Sequence, residues 1–257
     1  MKVNLALSIL LMVSQVVFAQ APLKNEPLKS EDMNEQKMKI EVWSDVMCPF
    51  CYIGKRHLEA ALAEFEDSNR VEIVWKSYQL NPDLPLKIEN KESVYAYLAK
   101  AKGISYEQSV QMHDNVVKMA ANAGLNYQFD KAVVANSFYA HQLAQYAKEK
   151  GLGIEIEELL FKAYFTEGKD ISDKATLVLL GAELGFAQAE VEQALSDEKY
   201  AALVRKDVAE AVLIQEIASA KKRAEKKGKR FSVRLNGTSD LEFYDVINSF
   251  PEVQFYD

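Results

Sequence analysis

The stretch that decides the fold is Asp45-Val46-Met47-Cys48-Pro49-Phe50-Cys51-Tyr52-Ile53-Gly54-Lys55-Arg56. It follows Met38-Lys39-Ile40-Glu41-Val42-Trp43, where the alternating Ile40 and Val42 mark a strand. Beyond it Leu58, Leu62 and Phe65 recur at helical spacing, so both cysteines lie where a strand turns into a helix. Pro49 suits the first helical position, because an N–H there would be unpaired in any case. The spacing predicts Cys48 at or next to the helix N-cap, with Cys51 one turn further on along the same side.

A thiol in that place faces unpaired N–H groups and the positive end of the helix dipole, which favour its thiolate. The thiolate attacks disulfides, and a thiol of low pKa is also the better leaving group. Cys48 is therefore the expected attacking cysteine, with a pKa below the free value of about 8.5, and Cys51 the resolving one. A Cys-x-x-Cys beside a β-to-α pattern reads as a thioredoxin-like redox motif. Two plainer readings compete with it. A structural disulfide here would close a short loop and remove little entropy from the unfolded chain. A zinc site needs about four ligands, and beyond these cysteines the chain offers only His57, His113 and His141, none at ligand spacing from the pair. No metal is expected, and the three histidines read as structural.

Residues 45–58 resemble the DsbA-like thioredoxin-fold family, in particular its FrnE branch, whose motif has the form Cys-Pro-aromatic-Cys-Tyr-Ile-Gly-Lys. Further matches follow in order: Leu80-Asn81-Pro82-Asp83-Leu84-Pro85, Ala140-His141-Gln142-Leu143, and Phe161-Lys162-Ala163-Tyr164-Phe165-Thr166-Glu167-Gly168-Lys169-Asp170-Ile171. The resemblance spans about residues 38 to 212. It implies an α/β, thioredoxin-like fold with a large inserted α-helical domain. It also implies a thiol–disulfide oxidoreductase with Cys48 and Cys51 as catalytic residues, Pro49 and Phe50 tuning the pair and meeting substrate, and no bound cofactor. Substrates would be protein or small-molecule thiols and disulfides.

Residues 1–19 carry one early charge, Lys2, then apolar stretches ending in Val17-Phe18-Ala19, with small residues at the two positions a signal peptidase reads. The expectation is a cleaved secretory signal and an exported product, periplasmic or extracellular. An uncleaved anchor is the competing reading, although the run is short of the roughly 20 residues of a membrane span. Residues 20–37 are a polar, flexible lead-in. Cleavage would take the net charge from −7 to −7 − 1 = −8. An acidic surface of this kind argues against nucleic acid and anionic membrane as partners, and an oxidising compartment lets a Cys48–Cys51 disulfide persist.

Residues 38–88 form the first half of the thioredoxin-like domain. Arg70-Val71-Glu72-Ile73-Val74-Trp75-Lys76-Ser77-Tyr78 is its second strand, parallel to the first through a right-handed crossover. In the resembled family the proline loop at residues 82–85 approaches the active site; alone it is an ordinary turn. Residues 89–221 read as the inserted helical domain. Helices are expected around Val94 to Leu98, Val110 to Met119 (stopped at Gly124), Phe138 to Tyr146 (stopped at Gly151) and Leu159 to Tyr164 (stopped near Gly168). Another is capped by Asp173 and carries Leu177, Leu180 and Leu184, and one or two more follow Ala187.

Residues 222–257 read as a diverged remainder of the thioredoxin-like domain. The family opens that half with a Gly-Val-Pro turn whose proline is cis and lies against the Cys-x-x-Cys, yet this chain has no proline between Pro85 and Pro251. The basic, helix-favouring stretch from Ile217 to Arg230 stands there instead and reads as the solvated end of a long helix rather than a nucleic-acid patch. Residues 230–235 alternate as an edge strand expected to join the sheet of residues 39–43 and 70–75. Asn236-Gly237 suits a turn, Asn236-Gly237-Thr238 is a glycosylation sequon, and Leu241, Tyr244, Val246 and Ile247 suit a final helix. Without the proline turn, an extended substrate loses part of its docking edge, so redox activity on proteins is expected to be impaired. Two other functions compete. One is a thioredoxin-like binding module with vestigial cysteines. The other is a glutathione-dependent isomerase of the 2-hydroxychromene-2-carboxylate type, a class that carries serine near the first cysteine position.

Overall fold

The computed structural model describes residues 37–89 and 91–229, with the main chain of residues 232–234 and 254–256. The expected signal segment, the Asn236-Gly237 turn, the sequon and the final helix fall outside the described residues. The fold is thioredoxin-like with a large helical insertion. β1 (Met38–Ser44) leads into α1 (Pro49–Glu64), and a short 3-10 turn at Ser68–Arg70 leads into β2 (Val71–Ser77). The two strands pair in parallel, Ile40 opposite Ile73 and Val42 opposite Trp75, as the strand–helix–strand order requires.

The helical block follows as α2 (Val94–Lys102), α3 (Tyr106–Asn122), α4 (Phe138–Glu149), α5 (Gly153–Phe165), α6 (Lys174–Glu183), α7 (Gln188–Ala194) and α8 (Glu198–Glu225). Its ends are written in the sequence. Ser105 and Gln108 form a capping box on α3, and the Asp173 carboxylate accepts from Thr176 N at the start of α6. Gly168 ends α5 with φ +67°, where a Cβ would meet the Lys131 carbonyl oxygen at 2.8 Å. Only glycine fits that turn.

The core is one apolar cluster joining both parts. Leu143 of α4, Ile156, Leu160, Phe161 and Phe165 of α5, and Leu177 and Leu180 of α6 are fully buried, with Tyr52 and Ile53 of α1 packed among them. Each such side chain contributes about 1.5–3 kcal/mol by leaving water. Tyr52 stacks on Phe161 with ring centres 4.8 Å apart, and Tyr127 stacks on Phe165 at 4.6 Å. α8 is fastened to the sheet through polar groups. Asp207 accepts from Ser77 N at 2.9 Å and Gln145 Nε2 at 2.6 Å, its carbonyl accepts from the Trp43 indole at 3.0 Å, and Glu210 pairs with Lys76 at 2.7 Å.

α8 runs unbroken to Glu225, so most of the stretch from residue 217 to 230 is the end of a long helix, as expected, but the strand beyond it departs from expectation. The strand inside residues 230–235, β3 (Ser232–Arg234), does not pair with β1 or β2 among the described residues; it pairs in parallel with β4 (Gln254–Tyr256). Alternation marks a strand but leaves its partner open, and the observed register sets Val233 opposite Phe255 instead.

Candidate active site

β1 delivers Ser44 and Asp45, both buried, to a tight turn, and Cys48 caps α1 with φ −87° and ψ 108° and Pro49 in the first turn. That turn is fixed by one side chain. The Asp45 carboxylate accepts from Met47 N at 3.1 Å and from Leu80 N at 2.6 Å, while its carbonyl accepts from Cys48 N at 2.9 Å. The Leu80-Asn81-Pro82 loop is thereby tied to the cysteine turn. Its far end is held as Asn136 Nδ2 donates to the Leu84 carbonyl at 2.5 Å.

Cys48 and Cys51 are both free and half-buried, and Cys51 packs against the hydrophobic core. Phe50, between them, is 54% exposed. The two thiols act as one titrating pair. The Cys48 thiol hydrogen-bonds the Cys51 sulfur and, against burial, brings Cys51 down to about 6, with help from the Asp45 main chain and the Ser44 hydroxyl. That same hydrogen bond, with burial, pushes Cys48 up, although the Phe50 and Cys51 main-chain groups favour its thiolate. The expectation put the lowered pKa on Cys48; the two sulfurs titrate together, so the single easily lost proton belongs to the pair.

Around this pair lie groups the sequence did not single out. The Tyr127 hydroxyl, from the helical block, donates to the Pro49 carbonyl at 2.7 Å. Tyr52 of α1 donates to Glu158 at 2.6 Å, and Glu158 also receives Lys55 at 2.7 Å and Arg56 at 2.9 Å. Burial opposes the Glu158 charge, but these donors outweigh it and hold its pKa near about 2. Beneath the cysteines His141 is fully buried, its Nε2 3.6 Å from Asp45 Oδ1. Burial presses His141 toward neutrality, yet Asp45 keeps its pKa above the usual value; Asp45 in turn is held low by His141, Leu80 and Met47 against its own burial. Glu157, next to Glu158 on α5, is also buried, and its Oε2 has no hydrogen-bond partner among the described residues. His113 lies apart from this group, edge-on to Phe129 and Tyr95 with Nδ1 at 2.8 Å from the Ser109 carbonyl.

The signal for Glu157 was faint. Ile156-Glu157-Glu158-Leu159-Leu160 places one acid among core positions, but helical periodicity gives no reason for it to face inward. The matched Ala140-His141-Gln142-Leu143 stretch did contain His141, read as structural and found wholly inside.

Comparison with known proteins agrees with this geometry. The DSBA-like thioredoxin domain family matches residues 39–215, and a second family, described as gene product 88, matches residues 185–257. The probable DsbA oxidoreductase SCO1869 of Streptomyces coelicolor is similar in structure, with TM-score 0.65, 33% identity, and coverage of 69% of this chain and 76% of that one. The uncharacterized protein YwbO of Bacillus subtilis is 28% identical over 164 residues, 63% of this chain and 73% of that protein. A 2-hydroxychromene-2-carboxylate isomerase shares the fold at TM-score 0.50 and 14% identity, over 69% of this chain and 81% of that one. From β1 through most of α8, the chain belongs to the DSBA-like thioredoxin domain family.

Proposed function

We propose that this chain is a thiol–disulfide oxidoreductase of the FrnE branch, exchanging disulfides through Cys48 and Cys51. The observation that carries this reading is the placement of two free, half-buried thiols at the α1 N-cap and one turn further on, where the pair gives up one proton readily. One proton serves both sulfurs. Moving it across the S–H···S bond puts the thiolate on Cys48, where the Phe50 and Cys51 main-chain groups receive it. Cys48 then attacks a substrate disulfide, forming a Cys48–substrate bond and expelling the other substrate sulfur as thiolate. Cys51 attacks Cys48 and expels the second. The chain ends oxidised by two electrons and the substrate reduced; the opposite direction reverses each step. Cys48 takes the attacking role because Cys51 packs against the core, while Pro49 and the exposed Phe50 border Cys48 toward solvent.

Small disulfides, glutathione among them, suit this site better than unfolded proteins, since no proline stands between Pro85 and Pro251 to build the family's docking turn. The same absence favours a second reading, a thioredoxin-like binding module with idle cysteines. The isomerase reading is not favoured, because a serine stands near the first cysteine position in that class. We further propose export, with a mature chain beginning near Gln20. Turnover of glutathione disulfide and of insulin, each with the Cys48→Ser variant beside the unaltered chain, tests the main reading. Turnover of the small disulfide that disappears in Cys48→Ser supports it; equal rates in both proteins reject it.

A further inference from the structure

β1 has two main-chain edges, and only one of them carries a strand among the described residues. Ser44 faces β2, its carbonyl accepting from Tyr78 N at 2.9 Å. Residues alternate in direction along a strand, so Val42 and Ile40 also turn their N–H and C=O groups to β2. Trp43, Glu41 and Lys39 turn theirs the other way. Glu41 and Trp43 find no main-chain partner on that side among the described residues. The strand expected there, within residues 230–235, pairs with β4 instead.

The outer edge of β2 is in a different state. Ser77 N donates to the Asp207 carboxylate at 2.9 Å, and the Trp75 carbonyl accepts from Lys148 Nζ at 3.4 Å, so side chains of α8 and α4 cover it. Along β1, by contrast, no residue from 38 to 43 is buried, and Met38 is 58% exposed. An open edge of this kind is a template for another strand, and two strands alone make a sheet smaller than most.

The sequence of this edge is complementary to itself. Turned antiparallel about a two-fold axis at Ile40, β1 sets Lys39 opposite Glu41 of a second copy, and Glu41 opposite Lys39 of that copy. These are the outward-facing residues, so each such pair can exchange both of its main-chain hydrogen bonds. On the other face the same register sets Ile40 opposite Ile40 and Met38 opposite Val42, an apolar row behind a row of opposite charges. An axis at Glu41 or at Lys39 would instead set like charges directly opposite each other, which is unfavourable. Lys39 already pairs with Glu41 of its own strand at 2.8 Å; in the Ile40 register its ammonium lies between two carboxylates.

We propose that this chain forms a two-fold dimer by antiparallel pairing of β1 with β1 of a second copy. Each two-stranded sheet then becomes half of a continuous sheet in the order β2-β1-β1-β2. Because the outer edge of β2 is covered, addition stops at two copies and no filament grows. One strand from each side buries less than the roughly 1,200–2,000 Å² of a standard interface, so the dimer is weak and concentration-dependent.

Sedimentation equilibrium of the reduced full chain, from micromolar to millimolar concentration, should show a monomer–dimer equilibrium. Lys39→Pro removes an outward N–H and spares the pairing with β2, so the dimer should be lost with circular dichroism unchanged. Lys39→Glu sets like charges opposite each other on both sides of the axis and should weaken the dimer about tenfold, whereas Lys39→Arg should match the unaltered chain. Carbodiimide coupling of a mixture of 15N-labelled and unlabelled chains should join Lys39 of one isotope to Glu41 of the other. A chain that stays monomeric at every concentration overturns the proposal, whether residues 230–257 cap the edge or it stays bare. So does a dimer that both Lys39→Pro and Lys39→Glu leave intact, or one in which Lys39 and Glu41 couple only within a single isotope.

Discussion

The Tyr127 hydroxyl donates to the Pro49 carbonyl at 2.7 Å, across 78 residues of chain. The helical block thereby holds the first turn of the helix that carries both cysteines. The Tyr127 ring also stacks on Phe165 at 4.6 Å and lies 6.1 Å from the Tyr52 ring, so the contact is backed by the aromatic core.

Removing only that hydroxyl, in Tyr127→Phe, should cost about 0.5–1.5 kcal/mol in urea unfolding while leaving the stacking. Tyr127→Ala should cost about 3–5 kcal/mol, because it also opens a cavity. Similar losses for the two variants would mean that the hydroxyl, not the ring, carries the stabilisation.

The coupled thiols give the reduced protein a pH-dependent stability that the oxidised protein lacks. The Cys51 pKa is depressed to about 6, so its contribution is present above the unfolded value of about 8.5 and is lost as pH falls through about 6. The Cys48 pKa is raised, so its contribution is present below the unfolded value and is lost above it. Stability of the reduced form should therefore rise from about pH 6 to about 8.5 relative to the oxidised form, then decline. Urea midpoints of both forms across that range check this; parallel curves would refute it.

Asp45→Asn removes the anion facing fully buried His141. On the order of 3 kcal/mol should be lost. His141, whose pKa is raised by Asp45, contributes stability below its unfolded value of about 6.5 that disappears as pH rises through its folded pKa. The unaltered chain should thus carry a His141 contribution at acid pH that Asp45→Asn lacks. NMR titration of the His141 ring in both proteins is the measurement, with a lower pKa expected in the variant.

Gly168→Ala should destabilise by about 2 kcal/mol or more, since it combines positive φ with collision against the Lys131 main chain. The same turn lets Lys169 N donate to the Ala163 carbonyl at 2.8 Å. Thermal unfolding that leaves Tm unchanged would contradict this reading of the turn.

Much of this was legible because local chemistry dictates it. Pro49 at the first turn, the Asp173 cap and the glycine stops at Gly124, Gly151 and Gly168 are each decided within a few residues, and the structure keeps all of them. Cys48 and Cys51 were visible for the same reason. The pairing of β3 was not, since alternation marks a strand but not its partner. Tyr127 and Glu157 were equally hidden. Tyr127 reaches the Pro49 carbonyl from a loop far along the chain, and an inward-facing acid looks in sequence like any surface acid.

The central claim is that Cys48 and Cys51 form a working redox pair, and a redox titration against glutathione tests it most directly. The chain is equilibrated over a range of reduced-to-oxidised glutathione ratios, quenched with acid, alkylated and weighed by mass spectrometry. Ionisation of one thiol near about 6 stabilises the reduced state, so the account predicts a single two-electron transition. Both cysteines should become protected together, at a potential above the roughly −270 mV of thioredoxin. Cysteines that remain alkylatable at every ratio, or that only acquire separate glutathione adducts without closing the Cys48–Cys51 bond, would contradict it.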